Sequence, residues 1–139
     1  MITFDPAGPL PSGTVVLEAS AGTGKTYAIA ALATRYLAEG VVEIEHLAVI
    51  SFSRVASEEL RSRVRERLRS SAAFLESVVN GTASPSSPDA TDTALAGGEP
   101  AEVQARLSRL RAALAGVDSA GIMTIHQFCQ TMFTELGVL

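Results

Sequence analysis

The chain has 139 residues, 47% hydrophobic and 19% charged, a balance that fits one globular domain able to bury a core. No apolar run approaches a membrane span, and Met1 to Leu10 has no basic start followed by an apolar stretch, so no membrane association and no signal peptide are expected; the expected setting is cytoplasmic. The single cysteine, Cys129, excludes an internal disulfide, and His46 and His126 are too far apart and too poor in acidic or thiol neighbours to point to zinc.

The net charge of −4 argues against a nucleic-acid partner, but its distribution argues for one. Between Arg54 and Arg69 six arginines face three glutamates, a local excess of three positive charges in a chain whose remainder sums to −7.

Val15-Val16-Leu17 is a short apolar run that predicts a strand. The small-residue stretch Ala19-Ser20-Ala21-Gly22-Thr23-Gly24-Lys25-Thr26 follows, and Tyr27 to Ala38 then takes a helical period, apolar at Ala28, Ala31, Leu32 and Tyr36. Strand, Gly-Lys-Thr loop and helix together are the pattern of a phosphate-binding loop. Such a loop wraps backbone N–H groups around polyphosphate oxygens, and the helix N-terminus adds its partial positive charge. Lys25 is placed to reach the β- and γ-phosphates and the Thr26 hydroxyl to hold Mg²⁺. Ala19 stands where the strict G-x-x-x-x-G-K-[ST] pattern has its first Gly, while Gly22 and Gly24 keep positive-φ conformations open to the loop. Lys25 is the only lysine in the chain, so abundance did not place it there.

His46 to Ser51 reads as a buried parallel strand. A helix follows with Ser53 as N-cap, Val55, Leu60, Val64 and Leu68 on its apolar face, and Glu59 and Arg63 as an i,i+4 pair; it ends near Val78 or Val79, before Asn80-Gly81. The arginines from Arg61 to Arg69 spread round this helix and read as a solvated face paired with Glu. From Asn80 to Pro100 the composition shifts to Ser, Thr, Ala, Asp, Pro and Gly, which predicts a flexible excursion outside the core at about 80–100. A third helix covers Glu99 to Ala115 with Val103, Leu107, Leu110 and Leu114 on one side. Ile122-Met123 is a brief strand, and Thr124 to Gln127 fits a capping box opening a last helix, where Cys129 is expected to be buried beside Phe128 and Met132.

This succession predicts an α/β fold, an open parallel sheet joined by right-handed crossovers with helices on both faces. The ligand then belongs at the carboxyl ends of the strands. Ser51 to Arg54 and Thr124 to His126 lie at two such ends.

In order along the chain, three segments are similar to motifs of superfamily 1 DNA helicases of the UvrD/Rep type, and most similar to the RecB family, the beta subunit of exodeoxyribonuclease V. Glu18 to Thr26 followed by Tyr27-Ala28-Ile29-Ala30 resembles motif I. Ser51-Phe52-Ser53-Arg54-Val55-Ala56-Ser57-Glu58-Glu59-Leu60-Arg61 resembles motif Ia, and Thr124-Ile125-His126-Gln127-Phe128-Cys129-Gln130 resembles the Thr-Ile-His-Gly-Phe-Cys element used on single-stranded DNA. The resemblance implies an incomplete P-loop NTPase (RecA-like) parallel sheet with flanking helices. Residues 1–139 would form the N-terminal part of the first motor domain (1A). It implies ATP and Mg²⁺ at Ala19 to Thr26, with Lys25 and Thr26 as the catalytic pair. It also implies single-stranded DNA at Ser51, Phe52, Ser53, Arg54, Thr124 and His126: Phe52 against a base, the hydroxyls and His126 on the backbone. The implied partners are other subunits of an exodeoxyribonuclease V-like complex, in double-strand-break repair and recombination.

Ser12 stands where the family has a Gln that reads adenine, and Val55 where motif Ia has a small or polar residue. No apolar strand ending in Asp-Glu is present, and Asp118 reads as part of a helix end and turn. The chain therefore reads as an N-terminal fragment that binds nucleotide without useful turnover of its own. A P-loop small-molecule phosphotransferase and a non-catalytic nucleotide-binding fragment are the alternative readings.

Overall fold

The computed structural model describes residues 3–19 and 24–138. Helix α1, Lys25–Ala38, is alanine-rich and free of Gly and Pro, which favours a helix through its whole length. Strand β1, Ala48–Ser51, follows a single 3-10 turn, and α2, Arg54–Asn80, is the longest element at 27 residues. The Ser53 side chain accepts from the Ala56 N–H at 3.1 Å and so caps α2. Gly81 ends α2 at φ 66°, a left-handed backbone that a side chain disfavours, while the Gly81 and Thr82 N–H groups satisfy the Val78 and Ser77 carbonyls. Helices α3, Ala90–Leu95, and α4, Pro100–Gly116, lead to strand β2, Gly121–Thr124, and helix α5, Ile125–Glu135. Pro100 opens α4 at the one place where a missing N–H costs nothing.

Among the described residues the sheet has two strands, parallel, with Ala48 opposite Gly121 and Ser51 opposite Thr124. Helix α2 packs on both strands, and α1 packs on α2 and α4. The core lies among these helices and the inner face of β2. Val64, Leu68, Leu75, Leu107, Leu110 and Ile122 are each at most 1% exposed. Burying each such side chain stabilises the fold by roughly 1.5–3 kcal/mol.

An α/β character is therefore present, with a smaller sheet than the sequence predicts. Val15, Val16 and Leu17 form no strand; they run unpaired and 51%, 79% and 46% exposed. An apolar run becomes a strand only where it lies beside another strand, and among the described residues β1 and β2 pair only with each other. The expected apolar face of α2 holds at Leu60, Val64 and Leu68, but Val55, in the first turn of α2, is 79% exposed. The buried residues of α1 are Ala30, Ala31, Ala33, Thr34, Arg35, Leu37 and Ala38, so Ala31 is placed as expected while Ala28, Leu32 and Tyr36 are only half-buried. Cys129 is exposed, as no residue of α5 is buried. The segment expected to lie outside the core contributes α3, whose Leu95 is 1% exposed within the core and whose Thr91 and Asp92 are buried.

The arginines of α2 divide. Arg63 pairs with Glu59 at 3.9 Å and Arg69 with Glu66 at 3.2 Å on the solvated face, as expected. Arg61 instead donates to the Ile122 carbonyl at 2.7 Å, Arg65 pairs with Asp118, and Arg67 pairs with Asp89 and Asp92. These three join α2 to β2, to the turn before it and to α3, contacts between residues too distant in sequence for a helical-face pattern to show.

Candidate functional site

Gly24 is the N-cap of α1 at φ 90°, ψ 25°, a conformation that an L side chain rarely adopts. Lys25 and Thr26 therefore open the helix directly from a left-handed turn, and no acidic side chain lies in that first turn. The helix dipole at this end favours an anion. A cleft of about 630 Å³ opens beside it, lined by Gly24, Lys25, Thr26 and Tyr27 and, from α2, by Glu59, Arg63, Glu66 and Arg67. Ala19 is exposed just before the loop. Ser20, Ala21, Gly22 and Thr23 lie outside the described residues.

The second cluster sits where β1 and β2 end. In-register parallel pairing of Ser51 with Thr124 sends the two chains out side by side, about 4.8 Å apart. The Ser51 hydroxyl lies 2.6 Å from the Ser57 hydroxyl and donates to the Ser53 carbonyl at 3.2 Å, which fixes the turn. Phe52, at the tip of that turn, is 93% exposed. Ser53 caps α2, so its hydroxyl already has a donor, and Arg54 is exposed in the first turn. Thr124 is buried, its hydroxyl accepting from the Gln127 N–H at 3.1 Å while the Gln127 side chain accepts from the Thr124 N–H at 2.9 Å. This reciprocal cap is the capping box expected from the sequence. It presents His126, exposed, one residue into α5.

Residues 5–138 match the family described as UvrD/REP helicase N-terminal domain. The chain belongs to this helicase family. The RecBCD enzyme subunit RecB of Mycolicibacterium smegmatis is 46% identical over 99% of the chain, and that of Mycobacterium tuberculosis (strain H37Rv) is 46% identical over the same share. The RecBCD enzyme subunit RecB of Escherichia coli K12 is 33% identical over 99% of the chain. The chain spans about 12% of the length of each of these relatives. No helix among the described residues of this helicase-family chain is long and apolar enough to cross a membrane.

One group of residues at the cleft escapes the sequence reading. Asp89 caps α3, accepting from the Asp92 N–H at 3.0 Å, and the same carboxylate takes both terminal nitrogens of Arg67 at 2.7 Å and the hydroxyl of Tyr27. The Arg67 guanidinium also lies over the Tyr27 ring, 5.7 Å from its centre. Burial works against a charged Asp89, but the hydrogen bonds from Arg67 and Tyr27 outweigh it and hold its carboxyl well below the usual carboxylate range. Burial together with the Asp89 hydrogen bond pushes the Tyr27 hydroxyl up. The local signal for this cap is Pro88-Asp89 with Asp92 three residues on, a helix-start pattern inside a stretch of loop-like composition.

Proposed function

We propose that this chain is the N-terminal part of the first motor domain (1A) of an ATP-dependent DNA helicase subunit of RecB type, with a P-loop NTPase sheet completed elsewhere in the protein. In this reading the loop from Ala19 to Thr26 and the start of α1 hold the triphosphate. Lys25 contacts phosphate, and Thr26 holds the Mg²⁺ that neutralises charge between the phosphates. The observation that carries the reading is the left-handed Gly24 cap delivering Lys25 and Thr26 into an acid-free helix start at the mouth of a cleft. These residues fit a polyphosphate with a divalent ion: one ammonium and one hydroxyl at the same helix N-terminus.

Single-stranded DNA lies along the ends of β1 and β2. Phe52 offers a stacking face to any base, Arg54 a phosphate contact and His126 a backbone contact. The Ser51, Ser53 and Thr124 hydroxyls chiefly hold the two turns that present them. Sequence tolerance follows, because every base has a π-face and every nucleotide a phosphate. The functional setting is double-strand-break repair and recombination, in a complex with the other subunits of an exodeoxyribonuclease V-like enzyme. The similarity to proteins named RecBCD enzyme subunit RecB supports that assignment.

Titration of ATP in the presence of Mg²⁺ tests the nucleotide half. Lys25→Ala is expected to weaken binding by about 10- to 100-fold, the scale of a lost charged hydrogen bond, without lowering the melting temperature. Equal affinity in Lys25→Ala and the parent refutes the assignment of the phosphate site.

A further inference from the structure

Resting on the phosphate-site reading above, we infer that Asp89 and Tyr27 are positioning residues for that site: the Asp89 carboxylate orients the first turn of α1 by holding the Tyr27 hydroxyl. Tyr27 directly follows Thr26, so a restraint on its side chain is a restraint on the turn that carries Lys25 and Thr26. The restraint is anchored at both ends. Asp89 is clamped by the two terminal nitrogens of Arg67 in the fork geometry that a planar guanidinium supplies. Arg67 is in turn held against Asp92, at 3.5 Å, and Asp92 is 3% exposed and accepts from the Ser71 hydroxyl at 2.6 Å. A chain of bonded groups thus runs from the buried seam between α2 and α3 to the rim of the cleft.

The arrangement is directional. Arg67 lines the cleft together with Lys25, Thr26 and Tyr27, yet its charge is neutralised by two carboxylates of α3 and its cap. Arg67 therefore contributes geometry to the helix end more than free positive charge. Tyr27 is 49% exposed, so its ring adds little to the core, and its hydroxyl is the part that communicates with Asp89. By linkage, a ligand that favours the ordered first turn of α1 also favours the docked state of α3.

The test uses the full chain, Mg·ADP as probe, and two readouts: affinity by titration, and amide hydrogen exchange of α3, residues 90–95. In the parent, saturating Mg·ADP is expected to slow exchange across α3. Tyr27→Phe removes only the hydroxyl; it is expected to weaken Mg·ADP binding by roughly 3- to 10-fold, the scale of one net hydrogen bond, and to abolish the nucleotide-dependent slowing in α3. Asp89→Asn is expected to give a loss of the same size, and the double variant no further loss, because both act through one contact. A merely structural role changes melting temperature and basal exchange but leaves the nucleotide-dependent difference in place. Tyr27→Phe with parental affinity and parental slowing of α3 overturns the positioning role while leaving the phosphate site intact. A parent that binds no Mg·ADP, with Lys25→Ala indistinguishable from it, overturns the phosphate-site reading and the positioning role with it.

Discussion

Phe52→Ala separates a binding surface from a core residue, because the two roles give opposite results in stability and affinity. The ring is 93% exposed at the end of β1, so its removal opens no cavity, and the folding stability should change by less than about 0.5 kcal/mol. A buried comparison is at hand in Leu68, 0% exposed on the same polypeptide stretch, whose truncation to alanine should cost about 2–5 kcal/mol. Affinity should move the other way. A base stacked on Phe52 is worth roughly 1–3 kcal/mol, so Phe52→Ala should weaken single-stranded DNA binding by about 5- to 150-fold. Fluorescence-anisotropy titrations with oligo-dT, oligo-dA and a mixed sequence of equal length measure this, alongside thermal melts of the same samples. The loss should be similar on all three oligonucleotides. Parental DNA affinity in a folded Phe52→Ala protein refutes the stacking role, and a melting temperature as low as that of Leu68→Ala refutes the exposed placement of the ring.

Arg54→Ala should reduce the slope of log affinity against log salt by about 0.7, one phosphate contact on a single strand, whereas Arg69→Ala, paired with Glu66 on the solvated face, should leave the slope unchanged. Equal slopes for the two variants assign DNA binding to a diffuse basic helix instead. The Asp89 carboxyl titrates below the ordinary unfolded value of about 4, so the stability it contributes is fully present above that pH and is lost only as pH falls further. Asp89→Asn should therefore lower the melting temperature at neutral pH and flatten its decline below about pH 4, with a parental acid limb counting against the Arg67 pairing.

What was legible in the sequence is what local chemistry decides. Ser53 before an apolar period, Asn80-Gly81 after it and the Thr124–Gln127 pair mark helix ends through bonds that close within a few residues, and each end lies within two residues of where it was read. The start of α1 beside Gly24 was legible because a helix opening from Gly needs little from the rest of the chain. Pairing over long separations was not. Val15 to Leu17 has the composition of a strand, but composition does not name a neighbour, and β1 finds its own in β2 some seventy residues on. Arg61, Arg65 and Arg67 belong to an Arg/Glu-rich run that reads as a solvated face, yet their acceptors come from residues 22 or more positions away. Asp89 and Asp92 sit in a stretch whose Ser, Pro and Gly content resembles a linker, so the buried ion pair there is visible only once α2 and α3 are seen together.

Helix α2 starts at the turn that displays Phe52 and runs past the cleft beside Lys25, where Glu59, Arg63, Glu66 and Arg67 form one wall. At 1.5 Å per residue, Arg67 lies about 20 Å along the axis from Arg54, and no Pro or Gly interrupts the rod between them. A stiff rod converts angle into travel. If the cleft wall tilts by about 5°, the far end swings by about 2 Å, more than half the 3.4 Å rise between nucleotides on one strand. Helix α2 thus joins the Phe52 turn to the wall of the cleft beside Lys25, and its length carries a small tilt at one end to the other.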